Sequence, residues 1–231
     1  NAQTVNDPPT VPIEMQLEWE KNNPHSLPHW ITPEEMGRLD QIGKGGHRVF
    51  TAAPPGPPRQ AAEFEPMEGV LIRYPFGISY TLIKEMAEDV NLVTICKSSQ
   101  QSTVNNNYIS QGVNMANVSY LLATTDSIWT RDYGPWHIIN GNGDAGIVDT
   151  VYNRPRPNDD AIPPKLAAQM GIPCYDQDIT TAGGNYMCDG LGIGCSTNLV
   201  WSKNSNKTHA QIDQLMLDYL GIDNYMVRPD A

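Results

Sequence analysis

Hydrophobic positions recur along this chain with two different periods, and the switches between them mark out its elements. MEGVLIRYP (67–75) is a short, nearly continuous apolar run, the pattern of a buried strand. In the following SYTLIKEMAEDV, Leu82, Ile83, Met86, Ala87 and Val90 return at helical spacing, which predicts a helix with one apolar face. NLVTICKS (91–98) and VSYLLATT (118–125) are β-rich again. WHIINGNGDAGIVDTVY (136–152) predicts a hairpin turning at Gly141-Asn142-Gly143. Ala161 to Met170 predicts a short helix, closed by Gly171 in the left-handed position favoured after a helix end. Thr208 and Gln211 have the spacing of a capping box, and Ile212, Leu215, Met216 and Tyr219 then line one face before Gly221. Strands and helices alternate, so the class is α/β or α+β, and periodicity does not choose between them.

The first 60 residues are different. They are Pro-rich and end in the linker-like TAAPPGPPRQ. One short helix is predicted inside them, with Thr32 as N-cap, Pro33 in the first turn and Glu35 as the third helical residue. The division expected is an arm over residues 1–60, wrapping or tethering a main body over 61–231.

Composition narrows the function. At 231 residues the chain is long enough for one or two domains with a substantial core, and its 19 Gly and 19 Pro imply many turns. No apolar run approaches the roughly 18 residues of a membrane span. A formal net charge of −11 argues against binding a nucleic-acid backbone and favours cationic ligands. The four cysteines, Cys96, Cys174, Cys188 and Cys195, include no CxxC pair, which argues against structural zinc and leaves disulfide pairing open. The first residue is Asn rather than Met, which fits a processed secreted or periplasmic protein and fits an excised segment equally well. Asn117-Val-Ser and Asn206-Lys-Thr match the glycosylation acceptor pattern, relevant only in a eukaryotic secretory pathway.

Four stretches carry candidate chemistry. In WTRDYGPW (129–136), Asp132 could fork two N–H bonds to a planar cation while Trp129 offers a cation–π face; alternatively Asp132 and Arg131 pair with each other or their neighbours. In VYNRPRPNDD (151–160), alternation puts Arg154 and Arg156 on one side, suited to clamping a carboxylate or phosphate, unless both pair with Asp159 and Asp160. TTAGGNYMCDGLGIG (180–194) is glycine-dense but matches no phosphate-binding fingerprint. No cysteine has an obvious activating neighbour, since Cys188 adjoins Asp189, and the five histidines form no metal-spaced cluster.

Taken in order, AEFEPMEGVLIRYPFGI (62–78), DSIWTRDYGPW (126–136), VYNRPRPNDD and GGNYMCDG resemble the bacterial peptidylarginine deiminases, relatives of agmatine deiminase. The resemblance implies a pentein-type α/β propeller of ββαβ blades and hydrolysis of a guanidinium to a ureido group and ammonia. It implies attack by a cysteine thiolate, through a covalent thiouronium intermediate, with a histidine as acid and base and no cofactor or metal. On the matching positions it makes Asp132 a guanidinium-gripping acid and Trp129 the pocket wall. Arg154 and Arg156 become the pair that binds the α-carboxylate of a C-terminal arginine, which disfavours agmatine. Asn185 is expected to support the site from the GGN turn. The family's His-x-Asp and nucleophilic cysteine have no counterpart here, since no HxD or HxE occurs. The expectation is therefore an incomplete propeller, its missing catalytic groups on a further, C-terminal portion or second polypeptide. The implied partner is an arginine-containing peptide or protein. A non-catalytic arginine-binding protein and an agmatine deiminase are the competing readings.

Overall fold

Among the described residues the arm carries two α-helices, α1 (Ile13–Asn22) and α2 (Pro33–Met36), and ends in a two-residue strand, β1 (Arg59–Gln60). The computed structural model describes residues 13–22, 26–44 and 48–230; the arm at 1–12, 23–25 and 45–47, with His25 and His47, and Ala231 lie outside the described residues. The α2 start is the predicted one. The Thr32 hydroxyl accepts from the Glu35 amide at 3.2 Å, and the Glu35 carboxylate accepts from the Thr32 amide at 2.8 Å. Two orphan donors are thereby satisfied reciprocally.

The body begins with β2 (Gly69–Arg73), α3 (Tyr80–Asp89), β3 (Asn91–Cys96), α4 (Gln101–Gln111) and β4 (Val118–Leu122). The three strands lie parallel in the order β2-β3-β4, joined by the helical crossovers that parallel pairing requires. On α3, Ile83 and Ala87 are fully buried, whereas Leu82 is 48% exposed, so the apolar stripe is narrower than predicted. The polar sequence of α4 hides a helix that buries only Val104 and Tyr108 and was not predicted. Tyr108 is held by a 2.7 Å hydrogen bond to Thr94 in the sheet.

A second sheet follows a single turn of helix, α5 (Thr130–Tyr133). The strands β5 (Trp136–Ile139) and β6 (Ala145–Tyr152) form the predicted antiparallel hairpin. At its tip Asn140 Oδ1 accepts from the amides of Asn142 and Asp144, and Gly143 takes the positive φ of 89° that the turn demands. Two helices, α6 (Pro157–Asp160) and α7 (Ile162–Met170), then cross to β7 (Cys174–Thr181), parallel to β6. Gly171 closes α7 as expected.

The third sheet contains β8 (Tyr186–Cys188), β9 (Ile193–Thr197) and, after α8 (Leu199–Lys203) and α9 (His209–Leu220), β10 (Asn224–Arg228). The Thr208–Gln211 capping box opens α9, and Ile212, Met216, Tyr219 and Leu220 are its buried residues. Two of the sheets thus repeat a ββαβ unit, antiparallel then parallel, and β1 adds an extra edge to the second. The sheets are separate, and among the described residues none closes on itself. The architecture is α/β.

The arm wraps the body. Leu27 makes a parallel bridge with Ser127, Gly141 donates to Pro55 O at 2.8 Å, and the Tyr219 hydroxyl donates to Thr51 O. A second buried anchor, besides Glu35, is Arg48, whose guanidinium enters a nest of three acids. It donates to Asp160 at 2.6 and 3.1 Å, to Asp176 at 2.6 Å, to Asp149 at 3.3 Å and to Thr150 O at 2.9 Å.

Candidate functional site

One turn of helix presents the central acid. Trp129 starts it, with its carbonyl accepting from the Asp132 amide at 2.9 Å, and Gly134 ends it at φ 86°. Tyr133 is buried in the core formed by Tyr152, Ile162 and Leu166. That anchor leaves Asp132 half-buried at the surface of the turn. Its Oδ1 accepts from the Gly184 amide at 3.1 Å, and a methyl group at Gly184 would lie 2.5 Å from the same oxygen. Arg131 is not its partner. The Arg131 guanidinium pairs with Glu63 and donates to Tyr186 O at 2.6 Å. Among the described residues no cation is bonded to Asp132, so a planar cation would find one carboxylate oxygen committed to a backbone amide and the other without a hydrogen-bond partner.

The arm borders this acid. Trp129 donates its indole N–H to Leu27 O at 2.9 Å, and the His29 ring meets the Trp129 ring edge-on, centroids 5.5 Å apart at 71°. Arg154 donates to His29 O at 2.9 Å and to Asn153 Oδ1 at 2.6 Å. Both arginines reach the arm at residues 28–30, but from a bend rather than an extended run, with the Arg156 amide donating to Arg154 O at 2.8 Å, and neither pairs with Asp159 or Asp160. Those acids are occupied elsewhere: Asp159 by the Asp126 and Ser127 amides and the Ser127 hydroxyl, Asp160 by Arg48 and the Tyr152 amide.

Arg156 is the departure from the expected clamp. Its side chain is fully buried and ion-paired with Glu35, Nε to Oε1 at 2.7 Å and Nη2 to Oε2 at 3.2 Å. Nη2 also donates to Pro28 O at 2.6 Å and Trp30 O at 3.0 Å. The arm therefore covers Arg156, and only Arg154 of the pair keeps a solvent-accessible surface. Among the described residues, Arg156 Nη1 and the Tyr152 hydroxyl are buried with no hydrogen-bond partner, a costly arrangement.

Titration reflects these contacts. Burial lowers His29 below the ordinary imidazole value, Asp132 opposes that shift, and Arg154 and Arg156 add to it. Burial works against the Glu35 charge, but the hydrogen bonds and charge of Arg156, with the Thr32 amide, outweigh it and hold Glu35 low. Burial raises Tyr152 well above the usual phenol range.

Asn185 sits in the turn after Gly184, and its Oδ1 accepts from the Thr197 amide at 3.2 Å and hydroxyl at 2.8 Å. It braces the turn whose Gly184 amide holds Asp132. All four thiols are free. Burial raises Cys96 and, helped by Asp149 and Asp176, pushes Cys174 to about 12. Burial and the nearby Glu63 and Asp189 raise Cys188. None of these three is set up as a thiolate nucleophile. Among the described residues no group of three His, Cys, Asp or Glu is arranged to hold a metal. Residue-level reading had missed His29, Glu35 and Gly184. The arm residues gave only a capping signal, and Gly184 was indistinguishable from the other turn glycines around it.

Comparison with known proteins gives this geometry a context. Agmatine deiminase of Ectopseudomonas mendocina is 25% identical over 233 residues, covering 95% of this chain and 53% of the relative. Agmatine deiminase of Enterococcus faecalis shares the fold with a TM-score of 0.65 at 19% identity, over 80% of this chain and 57% of that one. The C. jejuni agmatine deiminase does so with a TM-score of 0.61 at 18% identity, over 79% and 57%. The chain spans about half the length of the curated relatives it matches. Residues 59–230, which hold Trp129, Asp132, both arginines and Asn185, match the family model described as Porphyromonas-type peptidyl-arginine deiminase, and it is to this deiminase family that the chain belongs.

Proposed function

We propose that this chain carries the guanidinium-binding part of a deiminase that converts an arginine side chain to a ureido group with release of ammonia. The observation that carries the reading is Asp132, fixed by the Gly184 amide beside Trp129 with no cation bonded to it among the described residues, in a chain of a deiminase family. In the reaction, Asp132 accepts N–H bonds from the guanidinium and orients its carbon. A thiolate adds to that carbon and ammonia leaves. Water then adds to the thiouronium carbon, the thiolate departs, and the ureido product remains. The lack of any HxD or HxE in these 231 residues, with Cys96 buried and the partly buried Cys174 and Cys188 raised by burial, supports assigning the nucleophile and the His-x-Asp pair to further polypeptide.

For the substrate, the accessible Arg154 favours a carboxylate-bearing molecule, namely a peptide or protein ending in arginine. Agmatine is the second reading, and the engagement of Arg156 by Glu35 favours it, because only one of the two arginines is presented. The protein isolated from its source decides the matter. Intact mass and peptide mapping should find a His-x-Asp and cysteine segment attached to, or accompanying, these residues. That preparation should form citrulline from a C-terminal-arginine peptide, and Asp132→Asn should nearly abolish turnover. Unchanged turnover in Asp132→Asn would remove Asp132 from the mechanism, and faster turnover of agmatine than of the peptide would establish the second reading. Arginine binding without turnover in a preparation containing that segment would leave a non-catalytic arginine-binding protein.

A further inference from the structure

The arm residues that border the candidate site belong to no motif of the family match, which begins at residue 59. Yet residues 27–35 hydrogen-bond to three of the residues that frame that site. Leu27 O takes the indole N–H of Trp129, His29 O takes Arg154, and Pro28 O, Trp30 O and Glu35 take Arg156. The capping box of α2 fixes Glu35 before it meets Arg156, so the pairing of a stiff fork with a preset carboxylate defines the arm's position. His29 is the one aromatic side chain of this segment that is exposed, and it stands against Trp129 within electrostatic reach of Asp132. Among the described residues its ring nitrogens make no hydrogen bond.

We propose that the arm forms one wall of the guanidinium pocket, with His29 a specificity-determining residue that contacts the bound cation and Glu35 a positioning residue that acts by holding Arg156 away from it. A neutral imidazole beside Trp129 offers an arriving guanidinium a second acceptor in addition to the Asp132 carboxylate. Glu35 sets how much positive charge faces the far end of the ligand. While it holds Arg156, a carboxylate-bearing ligand meets Arg154 alone, and discrimination between a C-terminal arginine and agmatine is blunted.

This inference rests on the proposed guanidinium site, and the test separates the two. The 231-residue chain, labelled with 15N, is titrated with agmatine and with a dipeptide ending in arginine while the indole N–H resonance of Trp129 is followed. That proton is bonded to the arm, so it reads both ligand and wall. His29→Ala, an exposed substitution, should weaken both ligands about tenfold, and His29→Gln, which keeps a neutral acceptor, should recover most of the loss. Glu35→Gln should raise the preference for the dipeptide over agmatine severalfold. Asp132→Asn should abolish binding of both. Binding lost in Asp132→Asn but unchanged in His29→Ala, with an unaltered ligand preference in Glu35→Gln, overturns the arm's role and leaves the site intact. Binding unaffected by Asp132→Asn, or none by the unaltered chain, overturns the site reading and this inference with it.

Discussion

Replacing Arg48 by Ala removes a cation that contacts three carboxylates among the described residues, and the consequences follow from geometry. The side chain of Arg48 is 9% exposed, and those of Asp149 and Asp160 are 6% and 2% exposed. Burial alone would lower Arg48, but its hydrogen bonds to Asp160 and the charges of Asp149, Asp160 and Asp176 raise it far beyond titration. One charge does not neutralise three. Asp149 holds the longest contact, 3.3 Å, and burial, with the neighbouring acids, pushes it to about 8 against the pull of Arg48. Removing one partner of a buried ion pair costs about 3–5 kcal/mol. At roughly 2–4 °C per kcal/mol for a chain of this size, Tm should fall by about 6–20 °C near pH 8. The sign of the pH dependence is set by Asp149. Its folded value lies above its unfolded value of about 4, so its contribution is fully present below about pH 4 and is lost as pH rises through 8. Without Arg48, Asp149 and Asp176 lose the charge that draws them down, so the loss steepens, and acid repairs part of the defect. Urea unfolding of wild type and Arg48→Ala at pH 5 and pH 8 measures both effects. Arg48→Lys should recover only part, because an ammonium lacks the fork that reaches several acids at once. A gap under about 1 kcal/mol, or one equal at both pH values, would refute the reasoning, since a merely packed surface arginine gives that result.

Gly184→Ala should cut guanidinium binding by an order of magnitude or more with little change in Tm, because its methyl group would lie 2.5 Å from the Asp132 oxygen that Gly184 now holds; calorimetry with agmatine checks it, and unaltered affinity would dissociate Asp132 from this turn. Burial lifts Asp159 to about 6 against the bonds from Ser127, so its share of stability falls as pH rises from about 4 to 6. Asp159→Asn should flatten the stability profile in that window, as followed by thermal melts, and an unchanged slope would contradict the assignment. Thiol labelling of the native chain should leave Cys96 and Cys174 the slowest, with Cys174 at 1% of an exposed thiol's rate or less, since burial and the acids around it hold its pKa near 12; mass spectrometry of the labelled peptides reads the order, and fast alkylation of Cys174 would show that strand end to be open.

What could be read from the chain and what could not divide along the range of the interactions. Thr32–Glu35, Thr208–Gln211, the Asn140–Gly143 turn and the glycine stops at Gly171 and Gly221 are decided by residues within four positions of each other, and the structure has each of them. The helix α4 escaped because a crossover that buries only Val104 and Tyr108 leaves no periodic stripe to find. Asp132 was legible as a charged group set among aromatics, but its fixing amide lies 52 positions later, in a run where each glycine looks alike. The arginines show the limit most sharply. Alternation in an extended run would put Arg154 and Arg156 on one side, but the chain bends there, with the Arg156 amide bonded to Arg154 O, and their immediate neighbours offer a choice between a carboxylate clamp and pairs with Asp159 and Asp160. Arg156 does neither in this structure, because its acid is Glu35, 121 positions upstream. Glu35 in turn was legible only as a helix cap. One carboxylate serves both purposes, its two oxygens divided between Arg156 Nε on one side and Arg156 Nη2 with the Thr32 amide on the other. The local rule that made Glu35 readable is thus the one that presents it to Arg156, so the specificity of the site depends on how firmly a four-residue helix in the arm is capped.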